Sequence, residues 1–186
     1  MEDVPIKLSR MGLLLAAWAA SFLVTMSIVR WSHRHPRLAP VAPNASPQNF
    51  HAVAAPRLGG LGIVLGMLSA ALWLAWRGQP AAGQVGLMLL ACGAPAFAAG
   101  VAEDITGRVT PVRRLLCTAL SAALAIVMLD ALILRTDIPG LDWLVSFPAG
   151  AFALTVFAVV GVANAVNIID GFNGLASMCV LLMLIG

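Results

Sequence analysis

Charge is what this chain has least of: only 10% of its 186 residues are Asp, Glu, Lys or Arg, against 61% that are hydrophobic. With a mean hydropathy of +0.96, that balance excludes an ordinary soluble domain, where roughly 25% of residues are charged. Cysteine is scarce as well. Cys92, Cys117 and Cys179 each sit in an apolar segment without CxxC spacing, so neither a disulfide framework nor a zinc site is expected, and the three read as small buried hydrophobes. No internal repeat is visible, no glycine cluster has the spacing of a dinucleotide fingerprint, and nucleic acid is not an expected partner. His33 and His35 stand in an arginine-rich segment, where solvation rather than metal binding is the expected state.

What the chain does have is long apolar runs. Stretches able to cross a hydrocarbon layer of roughly 30 Å lie at residues 11–29, 58–76, 83–102, 115–134 and 143–169. Uninterrupted runs, unlike short alternating ones, select helices, which satisfy their own backbone hydrogen bonds in lipid. The expected fold is therefore all-α: a polytopic transmembrane helical bundle forming one integral-membrane domain over 1–186, with five full spans. A sixth run, 174–186, is too short to cross, and a terminal carboxylate left inside the bilayer would be costly. The chain is accordingly expected to be truncated within its sixth span; a short helix dipping in from one side is the alternative. The first run exceeds the apolar core of a secretory signal and is expected to be retained.

Basic residues orient the spans, because Lys and Arg favour cytoplasmic loops. Arg30, Arg34, Arg37 and Arg57 flank or occupy the first link, and Arg108, Arg113 and Arg114 the third. Those links are expected inside and the N-terminus outside, with the proline-rich stretch 32–55 as a cytoplasmic linker. The localisation expected is a multi-pass cell membrane protein whose active face is cytoplasmic.

Three polar groupings then fall on that one side. Pro56, Arg57, Gly59, Gly60 and Gly62 open the second span; Gly62 with Gly66 also makes a GxxxG, a common device for close helix packing in lipid. Glu103 and Asp104 stand side by side at the end of the third span, with Arg108, Arg113 and Arg114 downstream. Adjacent carboxylates repel, so a metal, a basic partner or a proton should relieve them. Finally, Asn164, Asn167, Asp170 and Asn173 recur every three residues in an apolar run, sharing one helical face of hard oxygen donors suited to magnesium or sugar hydroxyls. Gly171 and Gly174 would let a ligand approach the backbone. Together these groups suit a phosphorylated substrate handled beside the bilayer.

Three ordered motifs, Pro56-Arg-Leu-Gly-Gly60, Glu103-Asp104 with its downstream arginines, and Asn164-Ala-Val-Asn-Ile-Ile-Asp-Gly-Phe-Asn-Gly-Leu-Ala176, resemble the signatures of the polyprenyl-phosphate N-acetylhexosamine-1-phosphate transferases, glycosyltransferase family 4. The group includes enzymes that start peptidoglycan lipid intermediates, O-antigen and teichoic acid linkage units. The resemblance covers the N-terminal half of that family. It implies magnesium-dependent transfer of a sugar-1-phosphate from a UDP-sugar to a polyprenyl (undecaprenyl) phosphate at the cytoplasmic face, releasing UMP, in cell-wall or surface-polysaccharide biosynthesis. By the same resemblance Glu103 and Asp104 would be catalytic. Arg57, Arg113, Arg114, Asp170, Gly171 and Asn173 would bind substrate, and Asn167 and Asp170 would hold magnesium. Glu103 stands where the family usually has Asp, and Asn173 where bacterial members commonly carry an acid. Family members run nearly twice as far, and their later loops hold a further acidic and a histidine-rich motif. Alternative expectations are therefore a catalytically silent fragment, complemented by a separately encoded second half, or a membrane transport subunit using the Asp170 stripe as a polar path.

Overall fold

Proline and glycine punctuate the helices. In the computed structural model, which describes residues 3–32, 58–169 and 175–185, the elements are α1 (Asp3–Ser32), α2 (Gly60–Trp76), α3 (Pro80–Thr106), α4 (Pro111–Leu129), α5 (Leu141–Val145), α6 (Pro148–Ile169) and α7 (Leu175–Ile185). No strand occurs among the described residues. Helices α3, α4 and α6 each begin on a proline, whose missing N–H is tolerated in a first turn and whose fixed φ is already helical. Helix α3 stops at Gly107, which takes a left-handed φ of 60° and returns its N–H to Glu103 O at 2.7 Å; a side chain there would be strained.

Among the described residues four helical segments are long and apolar enough to span a membrane: Met11–Trp31, Pro80–Thr106, Pro111–Leu129 and Pro148–Ile168; α2 and α7 are shorter apolar helices. Two expected span limits are corrected. The fourth span was drawn to residue 134, but α4 ends at Leu129, where Asp130 adopts a left-handed φ of 52°. The apolar residues beyond it, Ala131 to Leu134, continue as non-helical chain. The fifth span was drawn from residue 143, but Trp143 belongs to the one-turn α5 and the span starts at Pro148. Proline disfavours helical geometry in the residue before it, and the break between α5 and α6 falls at Ser146 and Phe147, just before Pro148.

The packing is inverted relative to a water-soluble protein. The buried hydrophobic residues are mostly small, Ala71, Cys92, Ala99, Ala122 and Ala151, joined by Ile126 and Val145, while Trp18, Leu23, Trp76, Leu116, Val127, Phe157 and Leu184 face outward. In water so large an apolar surface would aggregate; in hydrocarbon it costs nothing, and small residues let backbones approach. Gly62 and Gly66 are buried on α2, where Cβ atoms would meet Thr25 and Ser21, or Ala17 and Ser21, of α1. The GxxxG is thus a packing device. Trp31 lies exposed at one end of the spans, and Trp76 and Trp143 are exposed beyond the opposite ends of theirs, as aromatic residues at membrane–water boundaries are.

Each helix packs on its neighbour in the chain: α1 on α2, α2 on α3, α3 on α4, α4 on α6, α6 on α7, with α5 against α6. The result is an open row of antiparallel helices. Two buried hydroxyls hold its seams. Pro95 interrupts the backbone ladder of α3, and beside it Ala96 N–H donates to the buried Ser121 Oγ of α4 at 3.0 Å. Thr155 of α6 donates to Ala151 O at 2.7 Å and accepts from Ile133 N–H at 2.9 Å, fixing the chain after α4. Ser121→Ala should therefore cost about 1–2 kcal/mol by leaving an N–H without that acceptor at a lipid-shielded seam. Reversible unfolding in micelles measures this; no loss would mean that the α3 ladder serves Ala96 by itself.

On the face carrying Trp76 and Trp143, Asp142 accepts hydrogen bonds from both the hydroxyl and the N–H of Thr136, each at 2.7 Å. The Thr136 hydroxyl first, then its N–H, holds the Asp142 carboxyl below the usual range.

Candidate functional site

The end of the row opposite Trp76 and Trp143 collects the C-termini of α1, α3 and α6 and the N-termini of α2 and α4. The antiparallel order follows from contacts such as Gly12 against Trp73, Gly60 against Phe97 and Glu103 against Arg114. At its centre is the α3–α4 turn. Gly107 ends α3, Thr110 caps α4 by accepting from Arg113 N–H at 3.4 Å, and Pro111 starts the helix. This short turn brings the acids of α3 within reach of the bases of α4.

The acidic pair divides its attention. Arg114 Nη1 donates to both carboxylate oxygens of Glu103 at 3.3 Å, with the two side chains about a quarter and a third exposed. Of the ways to relieve two adjacent carboxylates, the structure thus uses a basic partner for the first. Asp104 is one residue on, rotated by about 100° at 3.6 residues per turn. It lines a cavity of about 120 Å³ between α2 and α3, together with Leu58, Gly60, Leu61, Phe97, Gly100 and Val101. The start of α2 there is closed by tight turns, Leu61 N–H to Leu58 O at 3.1 Å and Gly62 N–H to Gly59 O at 3.0 Å. The positive end of the α2 dipole favours an anionic group beside it.

A double-mutant cycle of Glu103→Gln and Arg114→Gln should show a coupling of about 0.5–1 kcal/mol, as for partly exposed ion pairs. Strictly additive losses of stability would mean that the pair is not formed.

Of the other residues singled out in the sequence, Arg113 is exposed on the first turn of α4 and Arg108 is exposed in the turn before it. Asn167 is exposed on the last turn of α6 and Asn164 is half-buried one turn earlier; neither has a hydrogen bond to the Glu103–Arg114 pair. Arg57, Asp170, Gly171 and Asn173, and the linker at 33–55, lie outside the described residues. Among the described residues no group of three or more His, Cys, Asp or Glu side chains could hold a metal ion. The amide oxygen of Asn167 has the hard-donor chemistry that magnesium takes.

Sequence reasoning found Gly60 and Asp104 but passed over Phe97, Gly100 and Val101, which wall the cavity with them. Phe97, Gly100, Val101 and Asp104 follow helical one-face spacing, so the signal was present. It was hidden because an apolar stripe with a glycine reads first as packing.

The site belongs to an all-helical integral membrane protein with an acid–base cluster at one end of its spans. Residues 86–186 match the family described as Glycosyl transferase family 4. The chain belongs to that family, one of membrane sugar-phosphate transferases. The matched stretch includes the Glu103–Asp104 turn and the Asn164–Asn173 run but not the Pro56–Gly60 motif. No characterised protein and no solved structure matches the chain.

Proposed function

We propose that this protein transfers an N-acetylhexosamine-1-phosphate, or a related sugar-1-phosphate, from a UDP-sugar to a polyprenyl phosphate and releases UMP. The observation that carries this reading is Asp104 at an apolar-walled cavity, beside a paired Glu103–Arg114 and the exposed Arg113 and Arg108, in a chain of this family. A lipid phosphate needs such a place, with hydrocarbon walls below and charge at the mouth.

In the reaction a phosphate oxygen of the lipid attacks the sugar-bound phosphorus, the bond from that phosphorus to the oxygen bridging to the uridine phosphate breaks, and UMP leaves. Asp104 positions the lipid phosphate and accepts its proton where it arrives protonated. Glu103 acts through Arg114, keeping the guanidinium on the α3–α4 turn. Arg113 and Arg108, with Arg57, contact phosphates. Catalysis of this kind rests on positioning and neutralisation of charge. Asn167 and Asp170 are the proposed magnesium ligands, and Gly171 and Asn173 contact the nucleotide-sugar; a bound magnesium ion would supply Lewis-acid neutralisation of the diphosphate.

The same reading places the N-terminus outside, the acidic turn and the 32–55 linker on the cytoplasmic face, and α2 and α7 as a full and a partial span beside the four long ones. The cellular setting proposed is cell-wall or surface-polysaccharide biosynthesis in a bacterial inner membrane.

The test is purified protein in detergent with UDP-N-acetylglucosamine, undecaprenyl phosphate and magnesium. A lipid-linked sugar diphosphate formed in equal amount to UMP, and lost on chelation, is the expected result. UMP formation without a lipid product would overturn the proposal.

A further inference from the structure

On the face opposite the acidic turn, the seam between α4 and α6 ends well inside the hydrocarbon layer. Gly83 of α3 lies against Ala75 of α2, beside Trp76, and so marks the level of that boundary on α3. Further along α3, the Cys92 thiol meets Met128 Sδ of α4 at 3.7 Å. At about 1.5 Å per residue, Met128 lies about 13 Å below Trp76, and Asp130, slightly nearer that face, about 10 Å below it. Helix α6 gives the same depth. Ile133 N–H donates to Thr155 Oγ1 at 2.9 Å, and Thr155 stands about 10 Å along α6 from Pro148. Helix α4 therefore stops short, and residues 130–137 climb back to the boundary as chain that is neither helix nor strand.

Backbone of that kind is tolerated at membrane depth where it is buried in protein or lines water. Here it is not buried. Asp130, Ala131, Leu134 and Arg135 are exposed, and the N–H groups of Ala131, Leu134 and Arg135 meet no acceptor among the described residues. Nor does the Asp130 carboxylate have a hydrogen bond or ion pair among them. Hydrocarbon offers such groups nothing, and an unpaired carboxylate is least costly when hydrated, which selects water as the occupant. We infer that a water-filled recess enters beside residues 130–137 from the Trp143 face and ends at Asp130, cutting the hydrocarbon thickness at this seam from roughly 30 Å to about 20 Å. The way in is polar: above Asp130 the chain carries the Arg135–Asp137 ion pair at 2.6 Å and the hydrogen-bonded Thr136 and Asp142. Since Asp137 matches Arg135, Asp130 and Asp142 leave the recess negative, and it draws small cations ahead of anions. It lies at the end of the bundle away from the proposed chemistry and does not depend on it.

The test uses the full chain in phosphatidylcholine nanodiscs, with Cys92, Cys117 and Cys179 replaced by alanine and a single cysteine introduced in each variant. The probes are membrane-impermeant methanethiosulfonates, one carrying a trimethylammonium and one a sulfonate, and mass spectrometry gives the rates. Ala131→Cys is expected to react about tenfold faster than Leu89→Cys or Phe157→Cys, because the reactive thiolate forms in water. Both comparison positions are exposed, at comparable depth on α3 and α6. Leu134→Cys, nearer the boundary, should react at least as fast as Ala131→Cys and serves in its place if that variant does not fold. Adding Asp130→Asn should lower the ratio of cationic to anionic rates about threefold. Rates at the two recess positions as slow as at the comparison positions would overturn the recess, because lipid then seals the segment. Rapid reaction in nanodiscs with protection in native membranes would overturn it in favour of a protein partner covering the segment. A ratio unchanged by Asp130→Asn would overturn the preference for cations.

Discussion

Asp104→Asn is expected to lower formation of the lipid-linked sugar diphosphate by about 10²–10⁴-fold, the usual scale for loss of a positioned acid or base, with helix content unchanged. The amide keeps the shape of the carboxylate and loses its charge and basicity. Asp104 is half-buried against an apolar cavity, where its carboxylate can accept a proton from a phosphate brought to the mouth. Glu103→Gln gives the contrast. Its carboxylate already holds Arg114, so its loss should weaken the reaction by a smaller factor and lower stability slightly. If the two substitutions reduced turnover equally, the division of roles between the acids would be wrong. Michaelis parameters for both substrates, with melting curves of each variant, give the comparison.

Gly83→Leu should be strongly destabilising, costing about 3 kcal/mol or more, the upper end of overpacking penalties. A Cβ at Gly83 would lie 2.7 Å from Ala71 O and 2.9 Å from Ala75 N. Both are backbone atoms in the C-terminal part of α2, which cannot turn aside as a flexible side chain would. The seam between α2 and α3 must open at the end opposite the Asp104 cavity. Gly93→Ala on the same helix is the control: its Cβ meets nothing within 4 Å, so removing glycine flexibility should leave stability unchanged or raise it by up to about 1 kcal/mol. Unfolding in micelles separates the cases. Similar losses for both would point to α3 backbone effects instead of the α2 contact.

The helices were legible in the sequence because hydrocarbon imposes one demand, a long apolar run, and hydropathy measures that demand directly. The errors fell where hydropathy is silent. Ala131 to Leu134 are as apolar as the span before them, yet the chain has already left the helix at Asp130. Pro148 did carry the signal for the start of α6, but the run from Trp143 concealed it. At the site, Glu103, Asp104, Arg108, Arg113 and Arg114 share one end of the spans because they lie in and beside the single short link between α3 and α4. Which acid meets Arg114 and which borders a cavity depends on a rotation of about 100° and on a neighbour, α2, twenty or more residues away in the chain. No local pattern encodes that.

The open row of helices also shapes how the protein is made. The seams join helices that follow one another in the chain, apart from α4 and α6, which pack across the one-turn α5, so each can close as soon as the next long helix has entered the bilayer. Assembly then resembles the growth of a repeat protein, one junction at a time. A lesion at the α1–α2 seam should leave the α3–α4 turn formed, and the end that carries Glu103 and Asp104 is completed stepwise during synthesis and not by a final collapse.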